Sequence, residues 1–191
     1  MKPSKLIPFI IILAILGGLI YARTSKDEPQ TIVTQSQLQK LVPDDLTADA
    51  VARIELYAAG KDAEKVVIRK VGDDWKTGNG FDAPADTEKV DAYVKTLLGL
   101  QGELRARDVS EEGLKDYKLG EDEAFRVQAF KADATEAALD ILVGKAPNQN
   151  TVFLRQAGAS EVFVEAANPR SEAGVSSPEM SDSPTTKHWM D

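Results

Sequence analysis

The amino-acid sequence predicts an α+β fold: an N-terminal transmembrane helix, then antiparallel sheet or sheets of short strands packed by one main amphipathic helix, Thr87–Leu98. Three observations carry that prediction. An uncharged apolar run opens the chain. Short segments of strand periodicity, broken by Gly and Asp turns, recur between residues 51 and 165. Between them lies a single apolar stripe at helical spacing. With 191 residues the chain is long enough for one compact domain plus appendages.

Residues 6–22 hold no charged side chain and as a helix would span about 25 Å at about 1.5 Å per residue. That is slightly short of a hydrocarbon layer of about 30 Å, a deficit that snorkelling by Lys5 and Arg23 makes good. Residues 1–23 are therefore expected to be a membrane anchor, with Leu6, Phe9, Ile10, Leu13, Leu16, Ile20 and Tyr21 facing lipid or interface. A cleaved signal peptide is the competing reading. Its best small-residue site, Ile20 and Ala22 followed by Arg23, is poor. Ala14, Gly18 and Ala22 fall four apart, a candidate helix-pairing stripe, although small residues are common in such segments anyway. Lys2 and Lys5 before the run favour an N-terminus in the cytoplasm and the remainder outside.

The chain has 23 basic and 31 acidic residues, and residues 1–23 contain three bases and no acid. The remainder carries a net charge of −11. Such a surface repels phosphate backbones, so no nucleic-acid partner is expected. The absence of Cys excludes disulfides, thiolate metal sites and a cysteine nucleophile, and a single His removes most zinc sites and histidine triads.

Residues 24–37 read as a polar tether, residues 38–167 as an extracytoplasmic α+β domain, and residues 168–191 as a mobile Ser/Pro-rich tail. That tail has five Ser and three Pro, with Trp189 and Met190 as core-like exceptions. Within the domain, Ile54 and Leu56 alternate with charges, residues 65–71 return after the Gly60-Lys61-Asp62 turn, and Trp75 starts a third strand. Thr87–Leu98 has Asp86 at the N-cap and the apolar stripe Val90, Tyr93, Val94, Leu97 and Leu98, with Asp91 and Lys95 as a solvent-side pair. Gly99 and Gly102 mark its exit, and residues 111–117 form a short helix. Strands follow at residues 125–131, 138–143, 152–155 and 162–165.

No residue set concentrates chemistry, so no catalytic, cofactor-binding or metal-binding residues are assigned. The acidic runs Asp44-Asp45, Asp73-Asp74 and Glu121-Asp122-Glu123 sit at turns and lack calcium-loop spacing. His188 has no triad context, Ser110 and Ser160 lack a nucleophile-elbow motif, and Gly78-Asn79-Gly80 lacks a phosphate loop's lysine. Trp75 suits a core anchor better than a sugar platform.

The order of pieces nevertheless resembles a known family. The anchor precedes Leu41-Val42-Pro43, Val51 to Leu56, Trp75, and Ala83-Pro84-Ala85-Asp86 leading into Lys89-Val90-Asp91-Ala92. Leu97, Leu100, Leu114, Asp116, Tyr117, Leu119, Val143-Gly144-Lys145 and Val162-Phe163-Val164 follow. This resembles the bacterial envelope family known as domain of unknown function 4340, whose members are often encoded beside ABC-transporter components of the gliding-motility type. The resemblance covers about residues 38–167 and brings no catalytic residues with it. Two departures stand out: the family's Tyr-Gly-Leu turn reads Tyr117-Lys118-Leu119, and family chains usually continue past a tryptophan such as Trp189.

The anchor, the small α+β domain and the lack of concentrated chemistry, taken with the resemblance, lead to the expectation of a single-pass protein of the bacterial inner membrane, partnered by the lipid bilayer and by other membrane or envelope proteins, with no cofactor. The expected function is that of a non-enzymatic accessory or interaction domain of an envelope or ABC-transport-associated assembly. Two alternatives stay open. One is a glycan-acting envelope enzyme using carboxylates. The other is a binding module that pairs a partner strand along an open edge near Val162-Phe163-Val164.

Overall fold

A computed structural model describes residues 38–58, 60–78 and 82–190. The expected anchor, its stripe at Ala14, Gly18 and Ala22, and the tether lie outside these residues. No helix among the described residues is long and apolar enough to cross a membrane.

The described strands are β1 (Gln39–Lys40), β2 (Val51–Ala58), β3 (Val66–Val71), β4 (Asp74–Thr77), β5 (Ala83–Pro84), β6 (Gln101–Ala106), β7 (Phe125–Lys131), β8 (Leu139–Val143), β9 (Val152–Gln156) and β10 (Val162–Glu165). They form one sheet in the order β1-β6-β10-β9-β8-β7-β2-β3-β4-β5, and every pair is antiparallel. The two sequence-separated sets of strands are thus two meanders fused along β2 and β7, whose register runs from Val51↔Lys131 to Ala58↔Phe125. Helix α1 (Thr87–Leu98) carries the chain from the β5 edge to β6.

Strand β6 escaped the sequence reading, and its presence corrects the expected open edge. Val162, Phe163 and Val164 lie in β10, between β6 and β9, so neither side of that strand is free to take a partner. Gly102 is a strand residue and not merely the exit from α1. A Cβ there would stand 2.6 Å from the Cβ of Phe163, so a side chain is excluded by close packing. The actual edges, β1 and β5, are two residues long, and β5 contains Pro84, which blunts pairing with another sheet.

On the inner face, Val90, Tyr93, Val94 and Leu97 of α1 are buried against Ile54, Leu56, Ile68, Val127 and Ile141. Each such side chain contributes about 1.5–3 kcal/mol. The Asp86 carboxylate caps α1 by accepting from Lys89 N at 3.0 Å, and that backbone bond holds its pKa below the usual carboxylate value. Asp91 takes a hydrogen bond from Trp75 Nε1 at 3.0 Å, so it tethers the buried Trp75 to the helix in place of the expected pairing with Lys95.

The stretch expected to be a mobile tail is packed into this same core. Asn168 caps the short helix α3 (Pro169–Glu172), and Tyr93 Oη donates to Pro169 O at 3.1 Å. Arg170, 7% exposed, donates to Ser177 O and Glu179 O at 2.5 Å each and folds the following loop around its guanidinium. Trp189 is fully buried, edge-on to Tyr93 at 5.1 Å. Its carbonyl accepts from Asp86 N at 2.9 Å, while Met190, which stays 41% exposed, bridges Ala85 at the β5 edge. Gly174 has φ +83°, and a Cβ there would press 2.6 Å from the His188 ring. The polar composition misled because a few anchors (Pro169, Ala173, Val175, Trp189) and one arginine hub outweigh the many serines.

Candidate functional site

The outer face of the sheet, turned away from α1, is built by strand alternation. With Ile54 and Leu56 inward, β2 turns Arg53, Glu55 and Tyr57 outward; β7 adds Arg126, Gln128 and Phe130, β8 adds Asp140 and Leu142, and β9 adds Phe153 and Arg155. One end of this face is covered. Helix α2 (Glu111–Asp116), capped by Ser110 accepting from Gly113 N at 3.2 Å, lays Leu114 over Leu142, Phe153 and Val162. Tyr117 meets Phe153 edge-on at 4.9 Å. The Tyr117-Lys118-Leu119 turn is retained with Lys118 at φ +57°, a left-handed conformation that favours glycine.

Beyond α2 the face carries two sets of paired charges. Arg126 grips Asp140 with two bonds of 2.7 Å, and Gln128 Nε2 donates to the same carboxylate at 2.8 Å. Tyr57 Oη donates to Gln128 Oε1 at 3.3 Å. Glu121, from the segment that leads into β7, accepts from Arg126 Nη1 at 3.1 Å and from Arg155 Nη2 at 2.7 Å. Arg155, only 4% exposed, also donates to Leu119 O and Ala159 O, at 3.2 and 2.9 Å. Farther along, Glu55 sits between Arg53 Nε at 3.0 Å and Lys65 Nζ at 2.8 Å, and the Arg53 guanidinium lies 3.9 Å from the Phe130 ring centre. The hydrogen bond from Arg126 to Asp140 raises the arginine's pKa, and burial above all raises that of Tyr57. Both groups therefore keep one protonation state at neutral pH. The arrangement presents fixed charges and directed hydrogen bonds.

Two clefts adjoin the covered end. One, of about 510 Å3, is lined by Leu114, Lys115, Glu121, Asp122, Arg155 and Ser160. The other, of about 420 Å3, lies on the far side of Glu123 against Lys118, Lys145 and Met180.

The residues weighed from sequence occupy structural roles. Asp44 pairs with Lys40 at 2.7 Å and Asp45 with Lys131 at 2.5 Å, the latter lowering the Asp45 pKa. Asp73 and Asp74 stand at the β3–β4 turn, and Glu123 pairs with Lys118 at 3.1 Å. Among the described residues no three His, Asp or Glu side chains gather as metal ligands. His188 Nε2 lies 3.0 Å from Glu172 O, and Ser160 O accepts from Val109 N. Trp75 is a core anchor as expected. The Arg126–Asp140–Glu121–Arg155 network was missed. Its only signal was the polar parity of Arg126, Gln128 and Asp140 within otherwise apolar strands.

No curated protein and no solved structure matches the chain. Residues 75–173, from the buried Trp75 through α1, the Arg126–Asp140–Glu121–Arg155 network and α3, match the model of the family described as Domain of unknown function (DUF4340), and the chain belongs to that family.

Proposed function

We propose that this protein is a single-pass, membrane-tethered, non-enzymatic accessory domain of a bacterial envelope or ABC-transport-associated assembly, with its folded part outside the inner membrane. The uncharged run at residues 6–22 with Lys2, Lys5 and Arg23 at its ends supports the tether, and the resemblance to envelope proteins encoded beside transporter components supports the setting. The observation that carries the interaction reading is the outer face. Its carboxylates Glu55, Glu121 and Asp140 are each held by arginine, which suits them to fixed recognition. Membrane fractionation combined with protease treatment of spheroplasts tests the tether. The chain is expected in the membrane fraction and open to protease added from outside. Crosslinking in intact membranes is expected to join it to other membrane or envelope proteins. A freely soluble chain that remains uncrosslinked at every concentration overturns the reading.

A further inference from the structure

The uncovered half of the outer face carries a row of cations. Arg53 of β2 stands directly opposite Arg69 of β3, and Arg69 stands directly opposite Lys76 of β4. Directly opposed side chains on neighbouring strands have Cβ atoms about 4.5–5.5 Å apart, and like charges so placed destabilise a sheet. The row is only partly neutralised. Arg53 shares Glu55 with Lys65, Arg69 pairs with Asp82, and Lys76 has no hydrogen bond or ion pair among the described residues. Beside the row, Val71 is 48% exposed and Val67 is half-buried. Three aligned cations flanked by one exposed and one half-buried valine are out of keeping with a chain of net charge −8.

We propose that Arg53, Arg69 and Lys76, with Val67 and Val71, form the docking surface for an acidic polypeptide segment of a partner protein, an inference that rests on the accessory-domain reading. Charge complementarity selects an acidic occupant, and the neighbouring carboxylates Glu55, Asp74 and Asp82 select a polypeptide. They repel the unbroken negative charge of a phosphate backbone or an anionic lipid surface, whereas a polypeptide can space its carboxylates to meet the cations and place apolar side chains on the valines. Arginine-rich, partly apolar patches of this kind are typical of protein interfaces.

The test uses the full chain in phosphatidylcholine nanodiscs and a fluorescent peptide of alternating Glu and Val as probe, read by anisotropy. Binding is expected to weaken by about tenfold or more in the double variant Arg69→Glu/Lys76→Glu and to weaken again at about 1 M salt, where screening falls to about 3 Å. Lys115→Glu, on α2 at the covered end, is expected to leave it unchanged. In the double variant the carboxylate at position 69 faces Arg53 but also opposes the one at position 76, and the pair with Asp82 is given up. Thermal unfolding of both proteins is therefore followed, and binding is compared well below the lower midpoint, where lost binding is not lost folding. Equal binding by parent and double variant overturns the proposal, as does equal binding of a Lys/Val peptide. So does a peptide that stays at its free anisotropy while added phosphatidylglycerol vesicles capture the nanodisc-held parent chain and not the double variant.

Photo-crosslinkers placed at Val71 and Glu111 in native membranes separate the two levels of inference. Protein crosslinks at Val71 that Arg69→Glu abolishes support this surface. Crosslinks at Glu111 alone leave the accessory reading standing and remove this one. Crosslinks at neither position remove both.

Discussion

The two halves of the outer face share one sheet and one strand periodicity yet are finished in opposite ways. Over β8, β9 and β10 the outward positions include Leu142, Phe153 and Val162, and α2 covers these as a second small core. Over β7, β2, β3 and β4 the outward positions are mostly polar or charged, among them Arg126, Gln128, Arg53, Arg69 and Lys76. The boundary falls on one row, Arg126↔Leu142↔Arg155, where Glu121 reaches across the leucine to hold both arginines. The difference shows how one antiparallel sheet can give part of a face to stability and leave the rest for contact with other molecules.

If that division is right, substitutions of similar size should cost very different amounts in the two halves. Phe153→Ala, under α2, is expected to destabilise by about 3–5 kcal/mol in chemical denaturation. Gln128→Ala in the open half should cost well under half of that, and equal losses would erase the distinction. At the boundary, Arg155→Ala leaves Leu119 O and Ala159 O without their buried donor and should cost about 1–3 kcal/mol. Arg126→Ala, whose partners are more exposed, should cost less in the same measurement.

A smaller effect of opposite sign is expected in the turn after α2. Lys118→Gly relieves a left-handed lysine and should stabilise by up to about 1 kcal/mol, reduced by loss of the exposed pair with Glu123. The inner face supplies the smallest effect, as a control. Because its folded pKa is depressed, Asp86 contributes stability that is present above its ordinary value of 3.8 and is lost as pH falls through the folded value. The thermal midpoints of the parent and Asp86→Asn should therefore differ at neutral pH and converge in acid, with Phe153→Ala, which removes no charged or charge-paired group, showing no such convergence.

Much of the fold was legible because its signals are local. The stripe from Val90 to Leu97 and the Asp86 cap gave α1 its observed bounds, and the alternation in residues 125–131 and 162–165 did the same for β7 and β10. Strand β6 was hidden because Gln101-Gly102-Glu103-Leu104-Arg105-Ala106 has no β-branched residue, and its glycine resembles a helix stop. Missing β6 made β10 look like an edge. The charge network was illegible for another reason. Arg126 and Asp140 are 14 residues apart, and Glu121 and Arg155 are 34 apart, so only the strand register brings them together. The C-terminal stretch was misjudged by averaging, since its packing depends on a few positions, Trp189 above all.

The clasp made by that stretch has a consequence for how the molecule comes apart. The first turn of α1 is fastened by the carbonyls of His188 and Trp189, and the β5 margin is completed by Met190. Segments far apart along the chain therefore melt together, and the last turn of polypeptide cannot be shed while the helix that roofs the inner core stays seated.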